Sequence, residues 1–324
     1  MQKSLRISVA MIVKNEESDI SDCLNSFINE VDEVVVIDTG STDKTMEIVK
    51  NFSDKVIFRE SELETFTFSD ARNESLRFCK GDWILYIDAD ERFYHPNLRE
   101  YLETIADEVG ALRVLITGKL QEGIYQNMMY PRVFRNLGYP AISFKRNSHE
   151  QISDSIYKAG LKIIDSNIKI LHLGYERENN KLKAIRNYRL ISEGLYENAY
   201  DSYGWYQIAQ SLLVLHLYRQ AKRAVKMAIY LTSTTDPILA SAKSLLSQLY
   251  LLEKDWQNGL YWAECSLESV NDQVYAKYLQ AYSLKQMGKT KEAAKILKGI
   301  EDKTRPMAGF DINLPIEEIN KLLN

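Results

Sequence analysis

The sequence predicts an α/β domain over residues 1–178, built on an open sheet covered by helices, followed by an all-α domain over residues 179–324. Three observations lead to this fold class. Apolar runs alternate with helical patterns between residues 5 and 119, as expected for strand–helix–strand folds. Between about 120 and 175 the pattern is irregular, with short extended pieces. From residue 179 onward the sequence has helical periodicity.

Five apolar runs predict the strands of the sheet. Their near-continuous Val and Ile content is typical of parallel strands buried on both faces. The short connections predict right-handed crossovers. The predicted strands are LRISVAMIV (5–13), EVVVID (33–38), KVIFRE (55–60), WILYID (83–88) and ALRVLITG (111–118). The predicted helices cover about 17–29, 42–52, 68–79 and 95–108, the second with Ser41 or Thr42 as its N-cap.

Two of these strands end in carboxylates. The second ends at Asp38, and the fourth ends at Asp88 and is followed by Ala89 and Asp90. Ligands of open α/β sheets bind beyond the carboxyl ends of the strands, so these acids are predicted to lie at a binding site. On an extended backbone Asp88 and Asp90 would point the same way, and a hard divalent cation, Mn²⁺ or Mg²⁺, would neutralise them. The alternative is an acidic turn that caps a helix at Glu91.

The helical part repeats in the manner of tetratricopeptide units. Small residues recur at one position of the repeat, Ala221, Gly259 and Ala293, which are 38 and 34 residues apart. Pro237 closes the first unit. Such residues let paired helices pack closely, and repeat surfaces bind partners or mediate dimerisation. A generic helical bundle is the alternative.

Composition and charge narrow the functional classes. The net charge of −4 is unevenly distributed along the chain. Residues 1–180 are acidic, with 22 Lys and Arg against 30 Asp and Glu. An acidic surface argues against nucleic-acid binding, and a phosphate ligand there would need a cation. No apolar run is long enough for a transmembrane helix, and the N-terminus does not resemble a signal peptide. Three widely spaced cysteines, without a CxxC pair, predict reduced thiols and a cytoplasmic protein.

Several motifs, in order and spacing, resemble glycosyltransferase family 2. They are AMIVKNEE, VVVIDTGSTDKT, ARNESL with KGDWILYIDADE, and MYPRVFRN, and the resemblance covers roughly the first 175–190 residues. It implies a GT-A (Rossmann-like) nucleotide-sugar-binding domain followed by tetratricopeptide-like helices. This combination is similar to bacterial enzymes that glycosylate peptides or proteins, including the S-glycosyltransferases of glycocin bacteriocins.

The resemblance implies a metal-dependent, inverting glycosyltransferase whose donor is a nucleoside diphosphate sugar, most often a UDP-sugar. Asp38 matches the aspartate that binds the nucleobase, and Asn15 and Glu16 match the loop that borders the nucleotide. Asp90 matches the acid that holds the metal most directly. Asp88 matches a residue that contacts the ribose or the water shell of the metal.

Arg72 matches a basic residue near the nucleotide, and the sequence alone also makes it unusual. It falls in the first turn of a helix predicted to begin near Ser69, where the helix dipole disfavours a cation by roughly 0.3–1 kcal/mol. An anion should therefore compensate the charge of Arg72. The nearby candidates are Asp70 and Glu74.

Further residues have roles implied by the resemblance. His172, at a predicted strand end, matches a third metal ligand, although such a histidine is otherwise usually just hydrogen-bonded. Lys181 and Arg186 open a helix and would hold the pyrophosphate, unless they lie on a solvated face. Glu150 is the best match for the base that takes the acceptor proton. The family usually has an "ED" or "xD" pair at this stage of the chain, whereas this sequence has "HE". A thiol acceptor would depend less on a base, because thiols deprotonate more readily.

Rival functions remain open. A nucleotidyltransferase could share the sheet and acidic site, but AMIVKNEES has no glycine for a phosphate loop. A glycosyltransferase acting on a cell-surface glycan or a lipid-linked acceptor is a second alternative to one acting on a peptide or protein. The third is a non-catalytic repeat scaffold. The helical domain is expected to bind the acceptor or to form a homodimer.

Overall fold

The computed structural model describes residues 4–63, 67–121, 124–145, 151–173, 180–234, 236, 238–271, 273–300 and 311–313. The chain divides into two compact units. The sheet unit comprises residues 1–118 and 129–175, and the helical unit comprises residues 119–128 and 176–324. An α/β region therefore precedes a mainly helical one, as the sequence predicts, although the helical unit also includes strand residues within 119–128 and 311–313.

The sheet has the strand order β3-β2-β1-β4-β7-β6-β8-β5, with β9 paired to β7. Its strands are β1 Ile7–Val13, β2 Glu33–Asp38, β3 Val56–Glu60, β4 Trp83–Tyr86, β5 Glu91–Tyr94, β6 Val109–Gln121, β7 Ile124–Arg135, β8 Lys162–His172 and β9 Asp311–Asn313. The first four sheet positions pair in parallel, whereas β4 pairs with β7 and β5 pairs with β8 in antiparallel fashion. The sheet is therefore mixed rather than parallel throughout.

Five helices belong to the sheet unit and seven to the described part of the helical unit. The first group is α1 Ile20–Asn25, α2 Thr45–Lys50, α3 Phe68–Leu76, α4 Leu98–Glu103 and α5 Ser153–Lys158. The second group is α6 Asn180–Glu197, α7 Ser202–Val214, α8 Tyr218–Leu231, α9 Ile238–Leu252, α10 Trp256–Ser269, α11 Val274–Gln286 and α12 Thr290–Lys298. Among the residues described, no helix is both long and apolar enough to cross a bilayer.

Strands β1, β2 and β4 are buried on both faces, whereas β3, at the end of the sheet, is partly exposed. Alternate residues of β1 and β2 enter two different apolar clusters, with Val9 and Val34 in one and Ala10 and Val35 in the other. Successive side chains of a strand point to opposite faces, so a strand covered on both sides needs apolar residues at every position. Burial on both faces therefore explains the continuous Val and Ile runs of the sequence.

The predicted helices are longer than the observed ones, and the predicted N-cap of the second helix is wrong. Helix α2 begins at Thr45, after Lys44, instead of near residue 42. The hydroxyl of Ser41 donates to Asp38, and the backbone N–H of Thr42 donates to Asn15. Both residues are held in a loop, and the helix starts only after it.

Close helix packing in the helical unit depends on the small residues that define the repeat. Ala221 and Ala293 are buried, at 0% and 2% exposure. A Cβ atom on Gly259 would lie 2.2 Å from Cδ2 of Leu251. The side chain of Leu251 on α9 therefore packs directly against the backbone of α10. The paired helices thus pack at the predicted positions.

Candidate active site

The sheet brings the predicted acids to one edge. Strand β1 lies between β2 and β4, with Val13 in register with Asp38 and Ala10 in register with Tyr86. The backbone N–H of Ile87 donates to the carbonyl of Ala10 at 3.3 Å. Since the three strands are parallel, Asp38 and the segment after Tyr86 both lie at their carboxyl ends. This is the edge where open α/β sheets bind ligands.

Asp38 anchors the loop that follows β2. Its buried carboxylate accepts hydrogen bonds from the backbone N–H of Gly40 at 3.2 Å and of Ser41 at 3.0 Å, and from the Ser41 hydroxyl. Gly40 has φ +101°, a conformation that other residues rarely adopt. The chain therefore turns tightly at Gly40, and the carboxylate of Asp38 stabilises this turn.

The loop after β1 packs against this turn. The side-chain oxygen of Asn15 accepts from the backbone N–H of Thr42 at 2.7 Å, and the Asn15 N–H donates to the Ser41 hydroxyl at 2.9 Å. The N–H of Glu16 donates to the hydroxyl of Thr45 at 2.7 Å. Asn15, Glu16 and Asp38 thus belong to one hydrogen-bonded assembly, which the sequence places in two separate motifs.

A cavity of about 320 Å³ opens beside Asp38. Asp38 is in register with Glu60 of β3, and both residues line this cavity. A nucleobase is of a size to fit, and its N–H groups would pair with carboxylate acceptors. The lining residues are Asp38, Thr39, Gly40, Ser41, Met46, Glu60, Ser61 and Leu63.

The acid pair after β4 lies in a turn. Strand β4 ends at Tyr86, β5 begins at Glu91, and the N–H of Glu91 donates to the carbonyl of Asp88 at 3.0 Å. The prediction that Asp88 and Asp90 project together from an extended backbone is therefore wrong, and so is the alternative of a helix cap at Glu91. The two carboxylates contact different partners.

Asp88 is bound by arginines. Its Oδ1 lies 2.8 Å from Nη2 of Arg72, and its Oδ2 lies 3.5 Å from Nη1 of Arg132. Burial alone would raise the pKa of Asp88, but the positive charges of the two arginines outweigh burial and hold it well below its usual range. The anion that compensates Arg72 is therefore Asp88 rather than Asp70 or Glu74.

Glu91 extends this charge network into the protein interior. It is fully buried, its Oε1 accepts from Arg132 at 2.8 Å, and its Oε2 accepts from the N–H of Asp88 at 2.9 Å. Burial raises the pKa of Glu91 above its usual range, and the positive charge of Arg132 opposes this rise. Sequence reasoning missed both Glu91 and Arg132 as site residues. The only signal for Arg132 is its place in the motif MYPRVFRN.

Asp90 faces His172 instead. Strand β5 pairs with β8 so that His172 is in register with Glu91, and the N–H of Leu173 donates to the Asp90 carbonyl at 2.9 Å. The Oδ2 of Asp90 lies 3.7 Å from Nε2 of His172. Two of the three predicted metal ligands are thereby brought together, whereas Asp88 is engaged by guanidinium groups.

The pair of Asp90 and His172 fits a divalent cation of the Mn²⁺ or Mg²⁺ type. Both side chains are partly exposed, and their donor atoms are close enough to bind one ion. The described residues contain no cluster of three or more His, Cys, Asp or Glu side chains suited to a metal. Two protein ligands suffice for ions that keep waters and bind substrate phosphates at their other positions.

For three other predicted residues the contacts of the sheet unit give no test. Lys181 and Arg186 are on α6 in the helical unit, and their role toward pyrophosphate stays a prediction. Glu150, the predicted base, lies outside the described residues.

Residues 8–165 match the family model of glycosyl transferase family 2. The match covers just under half of the chain, and these residues are similar to family 2 glycosyltransferases. They have the motifs, the acids at strand ends and the α/β sheet that the resemblance implies. The predicted fold class, with its helical region after this domain, is confirmed.

Two curated relatives match parts of this chain. A TPR repeat-containing protein of Synechococcus elongatus is 30% identical over 260 residues, which are 77% of this chain and 62% of that protein. The SPbeta prophage-derived glycosyltransferase SunS of Bacillus subtilis is 31% identical over 196 residues, 58% of this chain and 45% of SunS. The chain thus matches less than two thirds of either relative's length.

A solved structure is also similar. The crystal structure of S. aureus TarS 1–349 in complex with UDP-GlcNAc aligns with a TM-score of 0.47 and 17% identity, covering 88% of this chain and 92% of that chain. The family assignment rests on the sequence matches.

Proposed function

We propose that this protein transfers a sugar from a nucleoside diphosphate sugar, a UDP-sugar, to an acceptor, with a divalent cation and with inversion at the anomeric carbon. The observation that carries the proposal is the meeting of Asp38 and the Asp88–Asp90 turn at one edge of a family 2 glycosyltransferase sheet. A nucleotidyltransferase and a non-catalytic scaffold are less consistent with the family match.

The donor would span the edge of the sheet from the cavity to the acid turn. The cavity beside Asp38 and Glu60 takes the nucleobase, because two adjacent carboxylates favour N–H groups over carbonyl groups. The turn at Gly40 and Ser41 keeps the cavity open at this side. Asp88, held by Arg72, would accept a hydrogen bond from a ribose hydroxyl.

The leaving diphosphate needs positive charge. Asp90 and His172 would hold the cation, which as a Lewis acid neutralises charge developing on the departing diphosphate. Arg72 and Arg132 add two fixed positive charges beside it. Fixed charges of this kind stabilise a transition state because they need no reorganisation during the reaction.

The proposal for the acceptor rests on the helical unit and on the curated relatives. We expect a peptide or protein side chain, bound by the helical unit, since repeat surfaces commonly hold partners and the relatives include both a named glycosyltransferase and a TPR protein. Glu150 is proposed to take the acceptor proton. Transfer to such an acceptor by a chain cut after residue 202 would contradict the docking role of the helices.

The test is donor hydrolysis across a panel of nucleoside diphosphate sugars, with Mn²⁺ or with EDTA. We expect a UDP-sugar to be consumed only with the cation. Asp90→Asn should lower the rate by on the order of 100-fold, because the ion loses its carboxylate ligand. Asp54→Asn, in an exposed turn before β3, is the matched control and should behave as wild type. Equal rates for Asp90→Asn and wild type would contradict the metal role, and no turnover of any donor would contradict the function.

A further inference from the structure

Arg132 on β7 is the centre of the buried charge network. Its Nη2 lies 2.8 Å from Oε1 of Glu91, its Nη1 lies 3.5 Å from Oδ2 of Asp88, and its guanidinium lies 4.3 Å from the ring centroid of Tyr86. The side chain is only 10% exposed. It therefore contacts the acid turn from the protein interior.

Two arginines share these contacts. Arg72 also packs on Tyr86, at 4.8 Å from the ring centroid, and binds Oδ1 of Asp88 at 2.8 Å. Like charges repel strongly in a buried environment, and a buried ion network seldom stabilises a fold more than apolar side chains of the same volume. Apolar side chains could stabilise the fold equally well. The stability of the fold therefore does not explain why this network is charged.

Arg132 also has hydrogen-bonding capacity that the described residues do not use. Its Nε and Nη1 are buried, and neither has a hydrogen-bond partner among those residues. Nη1 already faces Asp88 at a distance just beyond a hydrogen bond. Hydrogen bonds in an active site are often long in the free enzyme and become shorter in the substrate complex.

The acid turn is otherwise fixed through its backbone. Arg92 donates to the carbonyl of Ala89 at 3.1 Å, and the thiol of Cys23 donates to the carbonyl of Asp88 at 3.3 Å. These bonds hold the main chain, but the direction of the Asp88 carboxylate depends on Arg72 and Arg132 alone among the side-chain contacts described above.

We propose that Arg132 is a positioning residue for the donor site: braced by Glu91, it grips Asp88 opposite Arg72, so that the carboxylate serves as an oriented acceptor for a donor hydroxyl rather than as a metal ligand. This inference rests on the proposed function. It assigns the cation to Asp90 and His172 and gives the first acid of the pair a separate task.

The test measures UDP binding by isothermal titration calorimetry in Mn²⁺. Arg132→Lys keeps the charge but loses the planar fork, and we expect UDP affinity to fall about tenfold. The Mn²⁺ concentration for half-maximal donor hydrolysis should not change, since Asp90 and His172 are intact. Arg113→Lys is the matched control, because Arg113 pairs with Asp165 at 2.6 Å outside this network.

A double-mutant cycle separates positioning from a structural role. If Arg132 acts through Asp88, then Arg132→Lys in an Asp88→Asn background should weaken UDP binding no further. Additive losses, or unchanged affinity in Arg132→Lys, would overturn the inference. Should Arg132→Lys fail to fold, Glu91→Gln tests the same brace: it can still accept from the Asp88 N–H, and several-fold weaker UDP binding is expected. Wild-type protein that binds no nucleoside diphosphate would instead contradict the proposed function.

Discussion

At the scale of single residues, the candidate site is a set of charges whose partners are far apart in sequence. Arg72 illustrates what the sequence can predict. The sequence places Arg72 in the first turn of a helix, but α3 begins at Phe68 and Arg72 lies beyond its first turn. Asp70 accepts from Thr67, and Glu74 accepts from the Ser61 hydroxyl. The anion comes instead from Asp88. Arg72 needs an anion because it is buried, and the fold supplies the partner.

Asp88 gives a pH-dependent prediction. Its pKa in the folded state lies below that of an unfolded aspartate, because the two arginines outweigh burial. The ionised carboxylate therefore stabilises the fold above about pH 4, and this contribution disappears as the pH falls through the acidic range. Urea unfolding should show Asp88→Asn less stable than wild type at pH 7, with the difference shrinking by pH 3. A difference that is independent of pH would contradict this charge pairing.

At the scale of elements, the sequence predicts those strands whose burial is visible in their own residues. The runs at β1, β2 and β4 are such cases, since both faces of each strand are covered. The region from 120 to 175 carries weaker local signals, although it contains β7 and β8. Their pairing joins segments distant in the chain, such as Glu91 with His172, and no local pattern encodes that register.

The contact between β1 and the turn before β4 gives a prediction at this scale. The N–H of Gly81 donates to the hydroxyl of Ser8 at 2.7 Å, and a Cβ on Gly81 would lie 2.6 Å from the backbone nitrogen of Ser8. Gly81→Ala must push the two strands apart, so we expect a loss of about 1–3 kcal/mol in unfolding free energy. Chemical denaturation measures it. Gly299→Ala, at the end of α12, is the control and should change stability little. Wild-type stability for Gly81→Ala would show that the strands can separate freely.

At the scale of the whole molecule, the motifs indicate the family, whereas only the structure shows which residues of the site contact one another. Asp38, Asn15 and Glu16 come from two motifs and form one hydrogen-bonded assembly. Asp88 and Asp90 come from one motif and separate, because the backbone turns between β4 and β5. Lys181, Arg186 and Glu150 stay predictions.

The measurement that tests the account most directly is a crystal structure of the full chain with UDP and Mn²⁺. We expect the uracil in the cavity beside Asp38 and Glu60, and an anomalous manganese peak within about 2.5 Å of the Asp90 carboxylate and the His172 imidazole. The Asp88 carboxylate should lie between Arg72 and Arg132, toward the ribose. Nucleotide density at another place, with the edge of the sheet at Asp38 and Asp90 left empty, would contradict the central claim.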